Sequence, residues 1–143
     1  MQMNDMVIVS VDDHIIEPPG VFDKHMPAKW RARAPKFVDS HGRAGAYWEV
    51  EGIRITNFAL NAVAGRPREE LGFEPDSYDQ IREGCYDSRA RVDDMNVNGI
   101  LSALCFGSFS GFSGELWPSV KDKELALACV RAYNDWHIDE WCG

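Results

Sequence analysis

VIVSVDDHIIEPP, residues Val7 to Pro19, is the stretch on which the fold of this chain turns. From Val7 to Asp12 it is rich in β-branched residues without a polar alternation, the pattern of a parallel strand covered on both faces. Pro18, Pro19 and Gly20 stop it, because proline has no amide to donate to a ladder. Side chains two apart on a strand share a face, so Asp12 and His14 point together while Asp13 points the other way. A carboxylate beside an imidazole at a strand's C-terminal end suits a divalent cation such as zinc, manganese or iron, although two donors do not hold such an ion alone. The same short pattern also reads as a plain hydrogen-bonded pair or a capping contact.

Outward from that strand, Phe22, Met26 and Trp30 recur every four residues, which predicts a short helical or looped segment that packs through them. AYWEVEGIRIT, Ala46 to Thr56, alternates on either side of Glu51-Gly52 and predicts a solvent-facing β-hairpin with its tight turn at the glycine. Residues 57–86 hold too many glycines and prolines for a long regular element and predict a loop with short helical pieces. Asp87 or Ser88 caps a helix over 89–96, Asn98-Gly99 ends it, and Ile100 to Phe106 forms a second buried strand. GSFSGFSGE, Gly107 to Glu115, has the composition of a mobile loop over a pocket and equally that of a connector. Lys121 to Cys142 predicts a long helix, with Leu125, Cys129, Ala132 and Trp136 as its core-facing stripe; Trp136 and Trp141 read as packing residues.

The chain has 143 residues, 45% of them hydrophobic, enough for one domain or part of one. Its net charge of -8 repels phosphate backbones and anionic lipid, so neither nucleic acid nor a membrane surface is an expected partner. No window has the roughly 20 apolar residues of a membrane span, and residues 1–6 lack the features of a secretory signal, which fits a cytoplasmic location. Cys85, Cys105, Cys129 and Cys142 form no CxxC pair and read as buried free thiols. His25, His41 and His137 have no neighbours at ligand spacing and read as structural or exposed. Arg89 and Arg91 have the chemistry to grip a carboxylate in two places, but on an outer helix they read as solvated. Glu17 has two readings: a surface salt bridge, or a group that orients a metal ligand or touches substrate.

VDDHIIEPP followed by VF, the tryptophan-bearing hairpin with EG at its turn, LNAVAGRP, GCYDSRARVDDMNVNGI and the strand into CFGSFSGFSG occur in one order along nearly the whole chain. In that order they resemble the N-terminal part of the amidohydrolase-related metal-dependent enzymes that include aminocarboxymuconate-semialdehyde and dihydroxybenzoate decarboxylases. The resemblance implies an α/β fold, the N-terminal part of a (β/α)8 TIM barrel. About two barrel strands would be present, with a hairpin and loop insertion over 20–86 after the first. It implies that Asp12 and His14 are metal ligands, with a carboxylate standing where other members have a histidine, and that the ion is zinc or manganese.

The activity implied by the resemblance is that of a metal-dependent hydrolase or decarboxylase acting on a small organic substrate, carboxylated or cyclic. A complete barrel takes about 250 residues, so residues 1–143 are expected to be a single partial domain, inactive by itself, with the other ligands and the proton donor on later strands. Two parallel strands with open edges bury too little for a stable sheet, so instability or homo-oligomer formation is expected. The competing reading is a non-catalytic small α/β binding or interaction module that offers its sheet edge to a partner.

Overall fold

The structure, a computed structural model, describes residues 2, 5–39, 45–56, 59, 62–72, 75–111 and 114–143. His41 and parts of the LNAVAGRP and GSFSGFSGE segments lie outside them. Two sheets are present among the described residues. Strand β1 (Ile8–Ile15) pairs in parallel with β5 (Ile100–Gly107), and helix α1 (Ser88–Asn98) precedes β5 in the chain. Between them, β2 (Lys36–Val38), β3 (Tyr47–Val50) and β4 (Ile53–Ile55) form a separate antiparallel sheet in the order β2-β3-β4. Helix α2 (Lys123–Trp136) follows β5. The α/β expectation, with an antiparallel excursion between two parallel strands, is what the chain adopts.

Local chemistry accounts for the boundaries. The Asp87 carboxylate accepts a hydrogen bond from the Ala90 amide at 2.9 Å, and Gly99 closes α1 with φ 67°, the left-handed value that a side chain resists. Asp122 caps α2 through the amides of Glu124 and Leu125. The expected single helix to Cys142 ends at Trp136, and His137–Trp141 continues as a π-helical turn. The hairpin turn has positive φ at both Glu51 (49°) and Gly52 (78°), as the strand twist of a two-residue turn demands. Glu51 tolerates this conformation because its carboxylate is engaged: it accepts from the amides of Lys121 (2.9 Å) and Asp122 (3.2 Å) and pairs with Arg33. The turn is thereby docked on the start of α2.

The hairpin does not face solvent as expected. Trp48 is fully buried and Val50 nearly so, because β3 turns one face onto the core that lies between the antiparallel sheet, the segment after β1, and α2. Trp48 meets Phe109 at 4.9 Å between ring centroids and Phe22 edge-on at 6.1 Å. Its indole nitrogen has no hydrogen-bond partner among the described residues. Phe109 belongs to the glycine- and serine-rich segment, so the described start of that segment is anchored rather than loose. Leu125, Cys129, Ala132 and Trp136 are buried on one side of α2, as their spacing predicts.

The parallel pair departs from expectation in the opposite sense. Read as strands covered on both faces, β1 and β5 have one face open: Val9, Val11, Leu104 and Phe106 are all exposed, and Ile15 is the one buried residue of β1. Nothing among the described residues packs on that face. The pairing also shifts register between Ser10 and Asp13, where β1 carries one residue more than β5, a bulge next to the residues of interest.

Candidate functional site

Asp12 and His14 lie on the open face near the C-terminal end of β1. Both side chains are exposed, and Asp12 Oδ1 stands 3.5 Å from His14 Nε2. That separation exceeds the usual 2.7 to 3.2 Å of an N–H···O bond. Two donors each about 2.1 Å from one ion at the tetrahedral angle are separated by about 3.4 Å, so the pair has the spacing of one edge of a metal's coordination shell. Among the described residues no group of three His, Cys, Asp or Glu donors converges. An ion at this pair would need at least two further donors, from water or from groups outside the described residues. Phe106 of β5 flanks the imidazole, with ring centroids 6.3 Å apart.

Asp13 points to the opposite side, where Arg91 of α1 stands 3.9 Å away. Arg91 is not the solvated residue that its helix position suggests. Its guanidinium donates to the carbonyl of His14 and to that of Gly84, each at 2.7 Å, and lies over the Trp141 ring. Arg89, by contrast, is exposed as expected. A cavity of about 510 Å³ opens beside these groups, and Asp13, His14, Ile16, Ala59, Cys85 and Arg91 contribute to its lining.

Glu17 is fully buried, which excludes the surface salt bridge. One carboxylate oxygen accepts from the Ser108 amide (2.8 Å) and the Tyr133 hydroxyl (2.9 Å), the other from the Phe109 amide (2.9 Å). Burial holds this carboxyl above its ordinary range, against the downward pull of the two amides and Tyr133. Its backbone carbonyl accepts from the Tyr78 hydroxyl, and Ser108 Oγ donates to the Ile15 carbonyl at 2.8 Å. Glu17 thus joins the end of β1 to the end of β5 and to α2. None of its hydrogen bonds goes to Asp12 or His14.

Gly107 makes this joint possible: a Cβ there would overlap the Tyr133 hydroxyl and lie 2.6 Å from Glu17 Oε1. Sequence reasoning did not find Ser108, Phe109 and Tyr133 as partners of Glu17, and no local pattern announces them, since they lie 91 to 116 residues away.

His25 is tied to Glu140, its Nε2 at 2.9 Å from the carboxylate, and His137 packs on Tyr133 and Trp136, where burial lowers its pKa. Neither approaches Asp12 or His14 in a donor group. The four cysteines are free; Cys129 is buried, but Cys142 is exposed, contrary to the expectation of uniformly buried thiols. No helix among the described residues is long and apolar enough to cross a membrane.

No family model and no curated protein matches the chain. Among solved structures, it is similar to the crystal structure of an amidohydrolase from Mycobacterium avium subsp. paratuberculosis K-10, with a TM-score of 0.67 at 20% sequence identity over 96% of this chain. The chain spans 39% of the length of that protein. At this identity the likeness speaks to the fold: the chain's arrangement recurs within a larger molecule.

Proposed function

We propose that this chain forms part of a metal-dependent hydrolase or decarboxylase of the amidohydrolase superfamily, in which β1 and β5 are neighbouring strands of a (β/α)8 barrel. The observation that carries the reading is the 3.5 Å approach of Asp12 Oδ1 and His14 Nε2, on one face at the C-terminal end of a parallel strand. Active sites of such barrels form at that end. The likeness to an amidohydrolase over 96% of the chain supports it. Asp12 and His14 are the ligands this chain would contribute to a zinc or manganese ion. Once bound, such an ion supplies Lewis-acid polarisation of a substrate oxygen or activation of water.

The chain's own residues hold that site in place. Glu17 is a positioning residue that fixes the end of β1 against β5 through Ser108, Phe109 and Tyr133.

Manganese(II) titration followed by amide line broadening tests the reading. Broadening should centre on residues 12–14 and Phe106, reverse on addition of zinc, and vanish in Asp12→Ala and His14→Ala. Broadening spread evenly over the surface of this chain of net charge -8 would refute it.

A second reading, a non-catalytic interaction module, has one observation in its favour, the open apolar face with Val11, Leu104 and Phe106. An apolar partner surface has no use for the Asp12–His14 pair at its centre. The two readings separate on whether that pair binds metal.

A further inference from the structure

The backbone of residues 14–17 is gripped from four directions. The His14 carbonyl accepts from Arg91, the Ile15 carbonyl from Ser108 Oγ, and the Glu17 carbonyl from Tyr78, while the Ile16 amide donates to the Cys85 carbonyl at 2.8 Å. Arg91 differs from the others because it acts on His14 itself. With one guanidinium it donates to the carbonyls of His14 and Gly84, at 2.7 Å each, and faces the carboxylate of Asp13 at 3.9 Å. Gly84 adjoins Cys85, the residue whose carbonyl holds Ile16, so Arg91 also fixes the turn that steadies the strand one step further on.

A planar group with donors in a fixed fork sets the distance between its two acceptors, which a lysine ammonium on a flexible stem does not. The bulge leaves Val11 and Asp12 without register partners on β5, and pairing resumes at Asp13 and His14; Arg91 grips the strand from outside the sheet at this first regularly paired stretch, next to Asp12.

We propose that Arg91 is a positioning residue for His14: from the opposite side of the sheet it locks the backbone so that the imidazole is held beside the Asp12 carboxylate. This rests on the metal reading of Asp12 and His14. Groups that orient metal ligands without touching the ion typically change metal affinity about 10- to 100-fold when replaced.

The experiment uses the full chain with manganese(II) alone as the probe, in wild type, Arg91→Lys, Arg91→Gln and, as a control on the same helix, Arg89→Lys. The dissociation constant is read from broadening at residues 12–14, and hydrogen exchange is followed at the Ile16 amide and in α2. Arg91→Lys and Arg91→Gln should weaken manganese binding roughly 10-fold or more and speed exchange at Ile16 while α2 keeps its protection; Arg89→Lys should change nothing. Localised binding in wild type that is undiminished in both Arg91 variants overturns the positioning role and leaves the metal reading standing. Loss of protection in α2 to the same degree as at Ile16 overturns it as well, since Arg91 would then act on stability alone. Absence of localised binding in wild type overturns the metal reading and this proposal together.

Discussion

Replacing Gly107 by alanine probes the joint between the two parallel strands and α2. The added methyl would overlap the Tyr133 hydroxyl, stand 2.8 Å from Tyr133 Cζ and 2.6 Å from Glu17 Oε1. Neither neighbour can give way cheaply, because Glu17 is fully buried and the two are hydrogen-bonded at 2.9 Å. Overpacking a tight site costs about 1 to 3 kcal/mol, and losing a hydrogen bond to a charged group about 1.5 to 3, so Gly107→Ala should cost about 2.5 to 6 kcal/mol. Urea unfolding followed by tryptophan fluorescence reads it, since Trp48 and Trp136 are buried.

Tyr133→Phe alone should cost about 1.5 to 3 kcal/mol, because two amides still serve Glu17. Combined with Gly107→Ala, it should cost less than the sum by about 1 to 2 kcal/mol, since the hydroxyl that the methyl displaces is already gone. A Gly107→Ala variant within about 1 kcal/mol of wild type, or strictly additive effects, would refute the reasoning.

The remaining expectations concern ionisable groups. Burial raises the Glu17 pKa above 4.5, so its contribution to stability is present below that pH and is lost as pH rises through the folded-state value. Between pH 4 and 8 the urea midpoint of wild type should therefore fall relative to that of Glu17→Gln; parallel curves would count against the assignment. Burial pushes the Cys129 thiol up to about 12, so iodoacetamide at pH 8 should modify exposed Cys142 and spare Cys129 in the folded chain, as peptide mass mapping will show. Equal labelling of the two would mean that α2 is not packed as described.

The elements that sequence predicts well are those whose cause is local. Asp87 and Gly99 bracket α1, Asp122 opens α2, and Glu51-Gly52 turns the hairpin, each through chemistry within a few residues. Two-residue periodicity puts Asp12 and His14 on one face, and their atoms do approach. Environment is harder to read from sequence. A β-branched run looks the same whether both faces are covered or one is open, so the run alone predicts β1 and β5 buried. Glu17 looks like a surface group until Ser108, Phe109 and Tyr133 come to it from the far end of the chain. Arg91 looks solvated on a helix that buries no residue, and only the fold brings the His14 and Gly84 carbonyls under it. β2 is three residues long and has no pattern of its own; it exists because β3 offers it an edge.

The packed interior is laid down by α2, the antiparallel sheet and the segment after β1, on ground that Asp12 and His14 do not share. Substitutions at these two positions should therefore carry almost no folding penalty, whereas those at Gly107 or Glu17 carry a large one. A lineage built on this plan can rewrite these two positions, exchanging carboxylate for imidazole, while selection on foldability looks elsewhere.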